Sequence, residues 1–294
     1  MDGILLVDKP KGVTSYDIVR KVKKILNTKT VGHTGTLDPN ATGLLPLLIN
    51  KGTKLSKYLI EHDKTYIATL QLGIKTDTMD SEGRILEEKT VSKEIFKQKN
   101  VISILNSFIG VQEQIPPIYS ALKINGKKLY EYARKNQKIN IADKKRNIEI
   151  YSIELKQIDE YNEIIVFKVH CSKGTYIRSL CEDIAVKLGT IGYMKELRRL
   201  TVGKFSIEQA IENLSEIENH IISIEEFFND KYSVYMNENK IKLLLNGVKL
   251  NYKEKGILAE KSVDGVYKIY SRKIFIGTGI MENGFIKRDI ILKE

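Results

Sequence analysis

The segment from Gly32 to Gly43 constrains this chain most, because it cannot form a regular helix or strand. It contains three glycines, one proline and mostly small polar residues. Glycine permits backbone conformations and close approaches that other residues do not, and proline has no backbone N–H to donate. We therefore predict a shaped loop at this point.

Asp38 is the one carboxylate in that loop. An aspartate in a turn most often accepts hydrogen bonds from its own neighbouring backbone amides, and the loop alone favours this structural role. The alternative is a reactive carboxylate in a frame of glycines that lets another backbone approach closely. The loop alone leaves both interpretations open.

Strand and helix patterns surround the loop. Strands are predicted at residues 4–7, 66–72 and 164–171, and helices after the Thr14-x-x-Asp17 capping pattern, at 92–110 and after Thr175. Arg178 then falls in the first turn of a helix that follows a strand, a position where functional side chains are commonly presented. The chain is therefore of the mixed α+β class.

From about Tyr232 the pattern changes to short strands, expected at residues 266–270, 273–277 and 285–292. The pair Asn283-Gly284 is typical of a tight hairpin turn. We therefore predict one large domain at residues 1–229 and a small, separable β-rich module at 232–294.

A net charge of +11 favours a polyanionic partner, because Lys and Arg that neutralise phosphates release counterions. No apolar run approaches the roughly 20 residues that span a bilayer, and the N-terminus lacks the regions of a signal peptide, so we expect a cytoplasmic protein without a membrane role. The two cysteines and four histidines lack the spacing of a disulfide framework or a zinc site. We predict no metal and no cofactor.

Residues 77–82 carry three carboxylates in six positions and could suggest a cation site. Their spacing fits no standard calcium loop. We interpret this acidic stretch as a surface turn.

Four motifs, in one order, resemble those of the TruB-type tRNA pseudouridine-55 synthases. They are GILLVDKPKGVTS at residues 3–15, the loop around Asp38, PPIYSALK at 116–123 and CSKGTYIR at 171–178. The resemblance implies a mixed pseudouridine-synthase sheet with flanking helices, a thumb loop at about residues 114–140 and a C-terminal PUA-like RNA-binding module. One departure is Asn50, where the family usually has glycine. Asparagine tolerates left-handed backbone angles, so the turn should survive.

The resemblance also implies a set of site residues. Asp38 matches the catalytic aspartate, Tyr66 the ring that stacks on the target base, and Arg178 the partner of the aspartate. The residues His33, Tyr176 and Leu197 match positions that line the substrate pocket. The implied activity is the isomerisation of uridine 55 in the T-loop of tRNA, by base flipping and without a cofactor. The implied partner is the tRNA T-arm, with no obligatory protein or guide RNA, and the enzyme would be a monomer.

Three other functions share features with this sequence. A non-catalytic RNA-binding protein would be expected to lack Asp38, which is present in an intact loop. A carboxylate-based glycoside hydrolase normally needs two acids that flank the scissile bond, and the loop holds one. A guide-RNA-dependent relative would need partner-binding extensions, which we do not expect here because the first motif starts at Gly3.

Overall fold

The computed structural model describes residues 1–60, 62–120, 122–124, 126–133 and 141–292. The strands are β1 (Gly3–Lys9), β2 (Val31–His33), β3 (Thr42–Ile49), β4 (Lys64–Leu72), β5 (Ile74–Thr76), β6 (Ile85–Glu88), β7 (Gly110–Gln114), β8 (Lys123–Ile124), β9 (Lys127–Lys128), β10 (Arg146–Asp159), β11 (Ile164–Cys171), β12 (Gly192–Val202), β13 (Phe205–Ser206), β14 (Ile221–Ser223), β15 (Ser233–Met236), β16 (Leu250–Asn251), β17 (Ile257–Ala259), β18 (Gly265–Ser271), β19 (Ile274–Glu282) and β20 (Phe285–Ile291). The α-helices are α1 (Ser15–Ile25), α2 (Ser56–Leu59), α3 (Gln98–Asn106), α4 (Leu129–Ala133), α5 (Ile177–Lys187), α6 (Ile224–Phe227) and α7 (Glu238–Leu245). Shorter 3-10 helices span Asn50–Leu55, Lys93–Phe96, Ala142–Lys144, Ile207–Gln209 and Leu214–His220. Of the predicted thumb loop, residues 121, 125 and 134–140 lie outside the described residues.

A ten-stranded sheet organises the larger part of the chain, in the order β14-β1-β3-β12-β4-β11-β10-β7, with β2 on β3 and β13 on β12. Strands β12 and β3 run parallel, with Arg199 opposite Gly43, whereas neighbouring pairs such as β12 and β4 are antiparallel. This mixed sheet with helices against it confirms the predicted fold class. The parallel β12–β3 contact brings the end of the Gly32–Gly43 segment against the centre of the sheet.

Helix α1 begins where the sequence predicts, because Thr14 and Asp17 form a capping box. The Thr14 hydroxyl accepts from the Asp17 backbone at 3.0 Å, and the Asp17 carboxylate accepts from the Thr14 backbone at 3.1 Å. The apolar side chains Ile18, Val19 and Val22 then lie buried against β1 and β3. The helix is thereby fixed next to the start of the Asp38 loop.

Helix α5 follows β11 after a short turn, also as predicted. Strand β11 alternates buried and half-buried residues, and α5 buries Ile177, Leu180, Cys181 and Ile184 in the largest core cluster. The helix axis and its buried face are therefore set by ordinary apolar packing. This packing places Arg178, the second residue of α5, at the edge of the central strands.

The predicted helix at 92–110 is split instead into a 3-10 turn at Lys93–Phe96 and the shorter helix α3. Asn50 has a φ of 50°, so the left-handed turn expected at this departure from the family pattern is confirmed. Among the described residues, no helix is long and apolar enough to cross a membrane.

The C-terminal strands form a second, six-stranded sheet in the order β16-β20-β19-β18-β15-β17. Asn283 and Gly284 turn β19 into β20 with φ values of 51° and 79°, which confirms the predicted hairpin. This sheet also contacts the larger one. Ile290 of β20 lies in one core cluster with Ile4 and Leu6 of β1.

Candidate active site

The Asp38 loop connects β2 to β3 and is fixed by side chains of neighbouring elements. The Ser15 hydroxyl donates to the Leu37 carbonyl at 3.0 Å and accepts from the Leu37 backbone amide at 2.9 Å. At the end of the loop, a Cβ on Gly43 would lie 2.2 Å from the Arg199 carbonyl oxygen, so only glycine allows this approach. The backbone on both sides of Asp38 is therefore held in place.

Lys9 also holds this loop, a role that the sequence analysis did not assign. Its side chain is fully buried, and its Nζ donates to the carbonyls of Pro10, Val13 and Pro39 at 2.9, 2.8 and 3.0 Å. Burial lowers the pKa of Lys9 to about 8, although the nearby Asp38 carboxylate opposes that effect. One ammonium thus ties the residue after Asp38 to the β1 end of the sheet.

Arg178 reaches Asp38 from the start of α5. Its Nε lies 3.3 Å from Asp38 Oδ2, and its Nη2 donates to the Tyr119 carbonyl at 2.8 Å. Its Nη1 donates to the Thr78 carbonyl and to Asp80 Oδ2, each at 3.2 Å. The guanidinium is therefore held on three sides, and it is 8% exposed. The predicted partnership of Arg178 with Asp38 is present in the geometry.

Asp80 overturns our interpretation of the acidic stretch as a plain surface turn. Its residue is 8% exposed, and its carboxylate pairs with Arg178 instead of pointing into solvent. Thr78 and the Glu82 backbone donate to its other oxygen at 2.6 and 3.0 Å. The spacing of the acids gave no sign of this, because the partner is 98 residues away in the sequence.

Asp38 lies between opposing charges. Burial raises its pKa, the Arg178 guanidinium lowers it, the Asp80 carboxylate raises it and Lys9 lowers it, with a net rise. Its side chain is still 38% exposed. Arg178 is therefore the main group that keeps this partly exposed carboxylate ionised.

A cavity of about 340 Å³ lies in front of these groups and is within the usual size range of small-molecule sites. It is lined by Thr36, Leu37, Asp38, Tyr66, Tyr119, Ser120, Thr175, Tyr176, Ile177, Arg178, Met194 and Leu197. Five of the six predicted site residues thus surround one space. In the described part of the chain, no group of three His, Cys, Asp or Glu side chains is placed to hold a metal ion.

His33 is the sixth predicted residue, and it is absent from the described residues that line this cavity. It ends β2, opposite Leu47 of β3, and its Nδ1 is buried without a hydrogen-bond partner among the described residues. Burial, and then the charge of Arg199, lower the pKa of His33. The structure therefore places His33 outside the described lining of this cavity, and its contact with a substrate stays a prediction.

A second, larger cavity of about 710 Å³ adjoins the first and shares Thr36, Tyr66, Thr175 and Tyr176 with it. Its basic lining residues are Lys64, Lys144, Lys145, Arg146, Lys173 and Arg199, and its one acidic lining residue among those described is Asp143. The Arg146 guanidinium also stands 5.1 Å above the ring of Tyr176. A basic cleft therefore leads to the aspartate, which suits an anionic polymer.

Comparison with known proteins agrees with this arrangement. Residues 23–177 match the family described as TruB family pseudouridylate synthase (N terminal domain), and residues 178–238 match the tRNA pseudouridylate synthase B C-terminal domain. The chain is 44% identical to the tRNA pseudouridine synthase B of Clostridium kluyveri, over 95% of this chain and 96% of that protein. It is 42% identical to the protein of the same name from Clostridium perfringens strain 13, over the full length of both.

Solved structures share the fold. A crystal structure of a Cbf5-Nop10-Gar1 complex matches with a TM-score of 0.67 and 24% identity, over 99% of this chain and 84% of the matched chain. A structure of an H/ACA RNP bound to a substrate RNA containing 2'-deoxyuridine matches with a TM-score of 0.67 and 23% identity, over 99% and 85%. The family match over more than half of the chain and the full-length identities above 40% lead to one conclusion: this chain belongs to the TruB family of pseudouridylate synthases.

Proposed function

We propose that this pseudouridine synthase isomerises uridine 55 in the T-loop of tRNA, with Asp38 as the catalytic carboxylate. The observation that carries the proposal is the Asp38–Arg178 pair, which faces a cavity that Tyr66 also lines. The names of the full-length relatives support tRNA as the substrate.

The reaction moves the uracil from an N1 to a C5 link on the same ribose. The N1–C1' bond breaks, a C5–C1' bond forms, the C5 proton leaves and N1 gains a proton. The product is an isomer of the substrate, so the reaction needs no net oxidant, reductant or energy source. Side chains that hold charge and move protons are therefore sufficient.

Asp38 can serve this reaction in two ways. Its carboxylate can attack C1' to form a covalent intermediate, or it can remove a proton from the neighbouring C2'. Both roles require the ionised form. The Arg178 guanidinium favours that form against burial and against the charge of Asp80.

Tyr66 would act on the base. A uridine must leave its stack to reach Asp38, which costs a few kcal/mol, and stacking on an aromatic ring returns about 1 to 3 kcal/mol. The Tyr66 ring borders both cavities, so it lies where a flipped base would pass from the cleft to the aspartate. Leu197 and Tyr176 line the same smaller cavity.

The basic cleft would hold the T-arm around the target nucleotide. Its lysines and arginines supply the phosphate contacts that dominate RNA affinity. We further propose that the protein acts as a monomer without a guide RNA, and that the C-terminal sheet serves as a PUA-like RNA-binding module.

One experiment tests the proposal. The purified protein alone is incubated with an unmodified tRNA transcript, and pseudouridine is mapped by base-specific chemistry. We expect modification at position 55 and none with Asp38→Asn or with a transcript that carries cytidine at that position. Modification elsewhere would contradict the assigned position. Equal turnover by Asp38→Asn would contradict the role of the aspartate.

A further inference from the structure

Arg199 is a buried cation that has no carboxylate partner among the residues that the structure describes. Its residue is 2% exposed, its Nε donates to the Leu44 carbonyl at 2.7 Å, and its Nη2 donates to the Gly35 carbonyl at 3.1 Å. In the described ranges, no Asp or Glu oxygen lies within ion-pair distance of it, although Arg198 beside it pairs with Asp8. The described part of the chain therefore offers no carboxylate to compensate the charge of Arg199.

An uncompensated buried cation is costly for stability. A guanidinium does not lose its proton in proteins, so it cannot avoid the cost of desolvation by becoming neutral. Two carbonyl groups satisfy part of its hydrogen-bonding capacity but carry no opposing charge. Apolar packing would serve this position at lower cost, which points to a use for the charge.

The Tyr66 phenol is the ionisable group on which the charge of Arg199 acts. Tyr66 of β4 and Arg199 of β12 are direct partners across antiparallel strands, and both line the basic cleft. Burial raises the pKa of Tyr66, whereas the charge of Arg199 and a hydrogen bond from it lower that pKa. The other titratable groups that act on the phenol are Cys171 of β11 and Asp38, and both raise the pKa.

We propose that Arg199 is a positioning residue that holds the Tyr66 phenol oxygen beside the target uracil and stabilises its ionised form as the proton acceptor. The inference rests on the proposed function. In the final step the C5–H bond breaks and its electron pair forms the C5=C6 double bond, while the C6=N1 pair moves to N1, which takes up a proton. The proton from C5 passes to the Tyr66 phenolate. The resulting phenol then returns its proton to water.

A double-mutant cycle measures this coupling, with single-turnover rates at saturating enzyme. Arg199→Gln keeps donors for the carbonyls but removes the charge, and we expect it to slow the parent by at least about tenfold. In the Tyr66→Phe background, which has no phenol to ionise, the same change should cost less than about threefold. An equal loss in both backgrounds would overturn the proposal and reduce Arg199 to a support for the loop at Gly35.

The pH dependence of the rate distinguishes the proposed role of Arg199 from a purely structural one, which would leave that dependence unchanged. The rate of the parent should rise with pH as the phenol ionises, and Arg199→Gln should displace that rise to higher pH, since the lost cation no longer lowers the pKa. The rise should vanish in Tyr66→Phe. The proposal would be overturned if the rise in rate occurred at the same pH in Arg199→Gln as in the parent. A near-parental rate of Tyr66→Phe would also overturn it.

If Arg199→Gln fails to fold, a second variant, Arg199→Lys, still tests the proposal. Arg199→Lys retains the charge, can serve in the same cycle, and should keep more activity than Arg199→Gln at each pH. Arg198→Gln is the control, because its side chain pairs with Asp8 away from the phenol; we expect its rate to stay within about twofold of the parent. Failure of the proposed function itself would appear separately, as a parent protein that forms no pseudouridine.

Discussion

Arg178 and Asp80 form a buried ion pair, with 3.2 Å between Nη1 and Oδ2 and side-chain exposures of 8% and 11%. The same guanidinium reaches Asp38 through its Nε at 3.3 Å. One arginine thus lies between two carboxylates. Asp80 anchors the Arg178 guanidinium on its buried side. Asp38 is more exposed and lines the cavity.

The first prediction concerns this anchor. Asp80→Asn should slow single-turnover pseudouridine formation by at least about tenfold and change tRNA affinity by less than about threefold, because Arg178 loses its charged anchor but no RNA contact. Asp77→Asn is the matched control in the same turn, since that carboxylate pairs with Arg84 instead. Similar losses for both variants would show that the turn as a whole, and not the Arg178 anchor, determines the rate.

The second prediction concerns pH. The proposed mechanism requires Asp38 in its ionised form, so the rate should fall as the pH drops through the pKa of Asp38. The Asp80 charge raises that pKa, and Asp80→Asn should therefore move the acidic limb of the pH–rate profile to lower pH. Profiles normalised to each variant's maximum check this. A limb that moves to higher pH would mean that Asp80 acts mainly by holding Arg178 near Asp38.

The third prediction concerns the shape of the guanidinium. Arg178 uses Nε, Nη1 and Nη2 for different acceptors, namely two carboxylates and two carbonyls. Arg178→Lys keeps the charge but cannot span them, so we expect turnover to fall by about a hundredfold or more with tRNA affinity within about threefold. Rates and affinities measured on one tRNA transcript decide it. Equal losses in both would instead identify Arg178 as a phosphate contact.

The sequence predicted the features that depend on local patterns. The capping box at Thr14, the strand–turn–helix that carries Arg178 and the hairpin at Asn283 each rest on residues a few positions apart. Apolar periodicity and turn chemistry act over that range. Of these elements, the strand–turn–helix contributes Thr175, Tyr176, Ile177 and Arg178 to the lining of the smaller cavity.

The sequence could not predict contacts made across the sheet. The Asp80–Arg178 pair needs α5 and the turn after β5 to meet, and the Tyr66–Arg199 pair depends on the register of β4 against β12. Neither is visible in spacing or composition. The family resemblance supplied Asp38, Tyr66 and Arg178, but it carried no role for the buried charges behind them.

The contact between the two sheets bears on one expectation, which stays a prediction. We predicted that residues 232–294 would be separable, yet Ile290 shares a core cluster with β1. Asp289, whose side chain is 3% exposed, accepts from Tyr58 at 2.5 Å and from Thr278 at 2.9 Å and also pairs with Lys57. A chain that ends at Asn229 would expose this apolar surface, and we expect it to lose stability.

The last prediction tests whether Asp289 stabilises that junction. Asp289→Asn keeps the volume of the side chain but removes the charge that Lys57 and Tyr58 contact, so it should lower the free energy of unfolding by about 1 to 3 kcal/mol. Asp264→Asn is the control, just before β18 of the same sheet: this exposed residue accepts only from the Asn283 backbone in the described contacts, and its change should stay within about 0.5 kcal/mol. Denaturant unfolding measures both. If the two variants unfold alike, the Asp289 contacts add little, and other contacts, among them the packing of Ile290 and the hydrogen bond from Lys54 to the Ile291 carbonyl, hold the two sheets together.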